Sequence, residues 1–153
     1  MISLRKILLA ISLLLTSIVP ANATYPSPVV AHWDLSVSSD KNDLGYQKVR
    51  ELVAKKQFDE ALSILDKKII DQPKESTPEI LKAIILNEKN KTLKALEVLL
   101  TGFKKERQHP SIHFAFCQIH RKLGNGLVSK KACIITAQQH HQDPLSHYEF
   151  ALT

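Results

Sequence analysis

Apolar residues recur three and four apart along most of the chain from Leu44 onward, the spacing that gathers them on one face of a helix. Leu44, Val49, Leu52 and Val53 outline a first helix running to about Lys56, capped by Asp40 or Asn42, with Asp43 in its first turn. After a short turn at Gln57, the residues Ala61, Leu62, Ile64, Leu65, Ile69 and Ile70 predict a buried face on a second helix over 58–71. Pro73 forbids its continuation, because proline lacks the N–H and clashes with the preceding turn. Ile80, Leu81, Ile84, Ile85 and Leu86 predict a third helix, capped by Ser76 or Thr77, with Pro78 at a favoured first position. A turn at 87–90 leads to a fourth helix over 92–106, carrying Leu93, Leu96, Val98, Leu99, Leu100 and Phe103 and broken at His109-Pro110. Ser111 caps a fifth helix over 112–123, which Gly124 closes. Asn125-Gly126 is a turn, and a sixth helix runs from about 128 to 140 before Asp143-Pro144. A seventh, over 145–152, is expected to cap the face of Ala132, Ile134 and Ile135.

The two segments ahead of the helices have a different character. Arg5-Lys6 is followed by a 13-residue apolar run, 7–19, then Pro20 and Ala21-Asn22-Ala23. A positive start, a short apolar run and small residues two apart are the parts of a secretory signal peptide, with cleavage after Ala23. The run is shorter than the roughly 20 residues of a stable membrane-spanning helix; an uncleaved anchor is the competing reading. The mature chain then begins at Thr24, in a bacterial periplasm or secreted. In a eukaryotic secretory route Asn90-Lys91-Thr92 would be a glycosylation acceptor. Residues 24–41, rich in Pro and Ser, read as a linker or arm whose Trp33 anchors it on the first helix pair.

The run Gln57-Phe58-Asp-Glu-Ala61 nearly repeats 34 residues later, with Ala61, Leu62 and Leu65 falling on Ala95, Leu96 and Leu99. A period of this length signals a solenoid of helix pairs. With Pro73 twelve residues after Ala61, and with His120-Arg-Lys-Leu-Gly124 closing a first helix, the chain resembles the tetratricopeptide repeat (TPR) over 42–144. The resemblance implies three antiparallel helix pairs and a C-terminal capping helix within a repeat domain over 42–153. Departures accompany it. Val49 stands where the family has a small residue, and Lys68 where it has a second one. Ala83 supplies the small residue in the second unit, but Thr92 replaces the aromatic and Pro110 comes three residues late. In the third unit Cys117 takes the small position, and three extra residues around Gly126-Leu-Val128 push its alanine to Ala132. Sel1-like arrays share this architecture. The resemblance also implies a concave groove presenting Tyr46, Arg50, Ile84, Phe114, Gln118 and Arg121 to a peptide or partner helix.

Composition narrows the function. Of 153 residues, 24% are charged and 44% apolar, with only four glycines, which suits a folded helical protein. The formal charge is +6, and removing Arg5 and Lys6 leaves +4. Basic residues are interleaved with acidic ones along the chain and read as a solvated surface, not as a nucleic-acid or anionic-membrane patch. Cys117 and Cys133 are the only cysteines. In an oxidising compartment they suggest one disulfide; the alternative is two reduced core residues. His113, Cys117 and His120 share one face of the fifth helix, and His140, His141 and His147 follow. Such a face could bind Zn²⁺ or Cu, so a small exported metal- or redox-linked protein is the alternative reading. A disulfide at Cys117 would argue against it, and no metal or other cofactor is assigned. Asp59, Glu60 and Asp66 sit on the polar face of the second helix. No phosphate loop, serine elbow or HExxH run is present. The expectation is an exported, non-catalytic module for protein or peptide binding, with no nucleic-acid partner and no stable membrane span after cleavage.

Overall fold

In the computed structural model, residues 43–109 and 111–139 are described, and all their regular structure is helical. The signal peptide, the arm with Trp33, the caps expected at Asp40 or Asn42, His140, His141, His147 and the seventh helix lie outside the described residues. Six helices follow one another: α1 (Leu44–Ala54), α2 (Phe58–Asp71), α3 (Thr77–Glu88), α4 (Thr92–Lys105), α5 (Ile112–Lys122) and α6 (Gly126–Gln139). Each packs on the next, and α3 also touches α5. Among the described residues no helix is long and apolar enough to cross a membrane.

The helix bounds carry a 34-residue period. α2, α4 and α6 start at 58, 92 and 126 and end at 71, 105 and 139. The turns entering them are superimposable in bonding. Gln57 N–H donates to Leu52 O at 2.8 Å, Lys91 N–H to Leu86 O at 2.9 Å, and Asn125 N–H to His120 O at 2.9 Å. One residue earlier, Lys56, Asn90 and Gly124 donate to Val53, Asn87 and Arg121. These pairs of bonds are the Schellman closure of a helix, which needs a left-handed residue at its corner. The three corner residues have φ of 58°, 59° and 75°.

This register corrects the expected three-residue insertion. α6 begins at Gly126, not 128, and nothing is inserted. Ser129, not Ala132, stands where Ala61 and Ala95 stand, and Cys133 stands where Leu65 and Leu99 stand; all six are buried. The Schellman corner leaves a single residue before the next helix, so the alanine could not slide. Ser129 keeps the position by donating its hydroxyl to Cys117 O at 2.9 Å.

Two further expectations change. Asp43 is the N-cap of α1 and not part of its first turn: its carboxylate accepts from Gly45 N–H at 2.7 Å and more weakly from Tyr46 N–H. Ser76 sits at the N-cap of α3, yet its hydroxyl makes no cap bond and donates to Glu106 Oε2 at 2.7 Å. Of the face expected on α2, Ala61 and Leu65 are fully buried, but Ile70, in the last turn, is 77% exposed.

The core is centred on α3, nine of whose residues are buried. It joins Tyr46, Val49, Leu52, Leu65, Ile80, Ile85, Leu99, Ile112 and Ile119 in one cluster. At the ends of the pairs the chain exchanges large for small. In the first pair, Lys68 lies against Gly45, where an added Cβ would come within 2.6 Å of Lys68 Cε. In the second, the equivalent residues are reversed: Glu79 lies against Gly102, 3.2 Å from its would-be Cβ. Lys68 is thus accommodated where a small residue was expected, because its partner is the small one. Its ammonium pairs with Asp43 and lies 4.1 Å from the centre of the Tyr46 ring. Burial raises the Asp43 pKa. The hydrogen bond from Lys68, the backbone bonds and the Lys68 charge outweigh that, and hold the carboxyl below its usual range.

A lysine in the left-handed region costs about 1–2 kcal/mol. Lys56→Gly is therefore expected to raise stability by about 0.5–1 kcal/mol after glycine's extra freedom in the unfolded chain is counted. Gly124→Ala is expected to lower it by about 1 kcal/mol. Urea midpoints of the two variants measure both, and a lower midpoint for Lys56→Gly would contradict the role given to this turn.

Candidate functional site

An accessible concave feature lies between the C-terminal ends of α3 and α5. It is a cleft of about 240 Å³ lined by Asn87, Glu88, Gln118, Arg121 and Lys122. The repeat explains its make-up: Asn87 and Arg121 are 34 residues apart, as are Glu88 and Lys122, so the last turns of two equivalent helices supply both walls. Lys122 ties them by donating to Asn87 O at 2.6 Å. Asn87 Oδ1 is buried and has no donor among the described residues. The cleft therefore combines amides, a carboxylate and two cations within one small volume, and the groups can hold a polar chain segment by hydrogen bonds and charge.

The six groove residues expected from sequence do not form one open surface. Tyr46, Ile84, Phe114 and Gln118 are buried by the protein's own chain, at 3%, 2%, 0% and 6% exposure. Tyr46 and Ile84 belong to the central cluster. Burial first, then the charges of Glu75, Asp43 and Glu79, push the Tyr46 phenol well above its usual range, so it stays protonated. Arg50 is exposed on α1, and Arg121 is half-exposed. Of the six, the structure brings only Gln118 and Arg121 into the cleft. Asn87, Glu88 and Lys122 were missed, although stepping back 34 residues from Arg121 finds Asn87.

A second sequence signal was missed. Between Glu106 and Asp143 there is no acidic residue, while Arg107, Arg121, Lys122, Lys130 and Lys131 fall in that interval. Charges are interleaved over the first two pairs but not over the third. The ion pairs follow this division. Lys82–Asp66 and Lys89–Asp59 link α3 to α2. The positions 34 residues on are Phe116 with Leu100, and Leu123 with Leu93. Leu93 is consequently 75% exposed, and Phe116 packs edge-to-face on Phe103 at 5.5 Å instead of making an ion pair.

Cys117 and Cys133 form a disulfide, with Cα atoms 5.0 Å apart, within the span such a bond requires. In the other two pairs the same positions hold Val49 and Leu65, and Ala83 and Leu99. The bond removes the thiolate from the His113–Cys117–His120 face. His120 is engaged with Asn125 at 3.2 Å and stacks on Phe116. Burial holds His113 and His120 below the usual imidazole pKa. Among the described residues, no group of three or more His, Cys, Asp or Glu side chains comes together to hold a metal.

No protein-family model, curated protein or solved structure matches the chain.

The disulfide closes 15 intervening residues, and in the chain-entropy account such a loop contributes about 3 kcal/mol. A Cys117→Ala/Cys133→Ala variant is expected to lose about that much. Hydrogen exchange should quicken mainly over 112–139 while α1 to α4 keep most of their protection. A uniform loss along the chain, or none, would show that the bond is not what holds the last pair.

Proposed function

We propose that the chain is an exported, TPR-like solenoid of antiparallel helix pairs that binds a protein or peptide partner and performs no catalysis of its own. The observation carrying this reading is the recurrence, at 34 residues, of the same Schellman corner at 56, 90 and 124. Repeats of one supersecondary unit stack into an extended surface, and such surfaces serve recognition. The cleft at 87–88 and 118–122 is the part of that surface that binds. The acid-free interval from 107 to 142 selects an acidic partner segment, since opposite charge speeds encounter and disfavours wrong partners. Export follows from the leader at 1–23 and agrees with a disulfide, which persists in oxidising compartments.

Two measurements test this. The intact mass of protein made with its own leader should correspond to a chain starting at Thr24; retention of 1–23 removes the export reading. Immobilised mature protein should capture a partner from the exported fraction of its source. An Arg121→Glu/Lys122→Glu variant that keeps its helical circular dichroism should capture at least about tenfold less, the effect of about 1.4 kcal/mol. Arg50→Glu should capture as the wild type does. Undiminished capture by the double variant would sink the cleft as the binding surface.

A further inference from the structure

His109 lies in the connection between the second and third helix pairs and is 6% exposed. Both of its ring nitrogens are engaged, and by different elements. Nδ1 accepts from the backbone N–H of Ser111, the N-cap residue of α5, at 3.2 Å. Nε2 is 3.1 Å from Thr77 Oγ1, at the start of α3. A backbone N–H can only donate, so Nδ1 carries no proton, and the neutral ring holds its proton on Nε2 and donates it to Thr77. The ring thus fastens the first turn of α3 to the first turn of α5.

We propose that His109 is a proton-operated latch between the second and third helix pairs, closed when the imidazole is neutral and open when it is protonated. A proton on Nδ1 would face the Ser111 N–H, donor against donor. It would also place a cation at two helix N-termini, where the backbone dipoles are already positive. The ring must turn out, and turning releases Thr77 as well.

The charged groups on the surrounding elements do not rescue the cation. Glu106, the C-cap of α4, attracts it, but its carboxylate already accepts from Ser76. Lys105 and Glu79, from α4 and α3, are paired with each other. His113, one turn into α5, has its own pKa lowered by burial. Burial lowers the His109 pKa from 6.5, and Glu106 only partly opposes that. Because the folded value lies below the unfolded one, the latch contributes fully above about pH 6.5. Its contribution is lost as the pH falls from there through the folded pKa.

The binding cleft lies at the opposite ends of the same two helices. Opening the latch frees α5 to change its angle to α3, and with it the distance between the cleft walls. The consequence for a partner rests on the reading of the cleft given above; the latch itself does not.

The test uses the mature, disulfide-bonded chain. Nitrogen-15 spectra of the histidine side chains at about pH 7.5 should show His109 as the Nε2–H tautomer. The opposite tautomer overturns the proposal without any variant. Hydrogen exchange over 111–115, corrected for the chemical rate, should then be compared at about pH 7.5 and about pH 5. Local opening should increase, approaching about tenfold for each unit by which the His109 pKa is lowered. In His109→Asn this dependence should vanish, and in His113→Asn it should remain. An increase absent in the wild type, undiminished in His109→Asn, or abolished by His113→Asn instead overturns it. Capture of the partner at the two pH values separates the readings: a working latch with pH-independent capture leaves the latch standing and removes its link to the cleft.

Discussion

The rest of the structure depends on a backbone corner. At Lys56, Asn90 and Gly124 the chain enters the left-handed region and closes the preceding helix with the same two hydrogen bonds. Only one residue then separates each corner from the next helix, so the starts of α2, α4 and α6 are fixed to the residue. The corner costs most non-glycine residues about 1–2 kcal/mol; Lys56 bears that cost, while Asn90 is of a type that enters this region more readily. The corner is supportable because it spares the last carbonyls of α1, α3 and α5 from being left unbonded, and because the helices that follow bury Ala61 and Leu65, or Ala95 and Leu99, against their neighbours. Burial of one such leucine, worth roughly 1.5–3 kcal/mol, matches the strain.

With the backbone held constant, side chains vary in compensating sets. The contact between Gly45 and Lys68 keeps one large and one small residue, and so does that between Glu79 and Gly102, with the roles reversed. Each large residue then finds an opposite charge: Asp43 for Lys68 and Lys105 for Glu79. Between pairs the exchange is one of chemistry. Ion pairs join α2 to α3, whereas the Phe103–Phe116 ring contact joins α4 to α5. Each substitution taken alone would leave a void, a clash or an unpaired charge. The repeat persists because the substitutions come in partners.

This explains what was legible in the sequence. The helices were, because their apolar spacing and proline stops are local; the bounds of α2 follow from Phe58 and Pro73 alone. The register of the third pair was not. It hangs on Ser129 and Cys133, which replace an alanine and a leucine and carry no strong apolar signal. Reading Ala132 as the repeated alanine was the natural consequence. The groove posed a different problem. Periodicity tells which residues share a face, but not whether that face is covered, and Tyr46, Ile84 and Phe114 turn out to be buried. The cleft was partly legible: Gln118 and Arg121 followed from equivalence of position, Asn87 required applying the same equivalence one unit earlier, and Glu88 and Lys122 had no predicted counterpart to start from.

The third pair also shows why redox state and fold are linked here. Where α2 and α4 bury leucine, α6 buries Cys133, and where they bury alanine it buries Ser129. The last apolar cluster contains little beyond Cys117, Ala132, Cys133 and the edge of Phe116. Losing one buried leucine removes roughly 1.5–3 kcal/mol, and closing the Cys117–Cys133 loop restores about 3 kcal/mol. The two quantities nearly cancel. The covalent bond therefore stands in for apolar packing, and it does so only where thiols are oxidised. Under reducing conditions the last pair would be left with a thin core, and its connection to the second pair would lean on polar contacts such as those of His109 and Lys122. On this account, an oxidising environment is a condition for the third helix pair to hold its place on the other two, and with it the walls of the cleft.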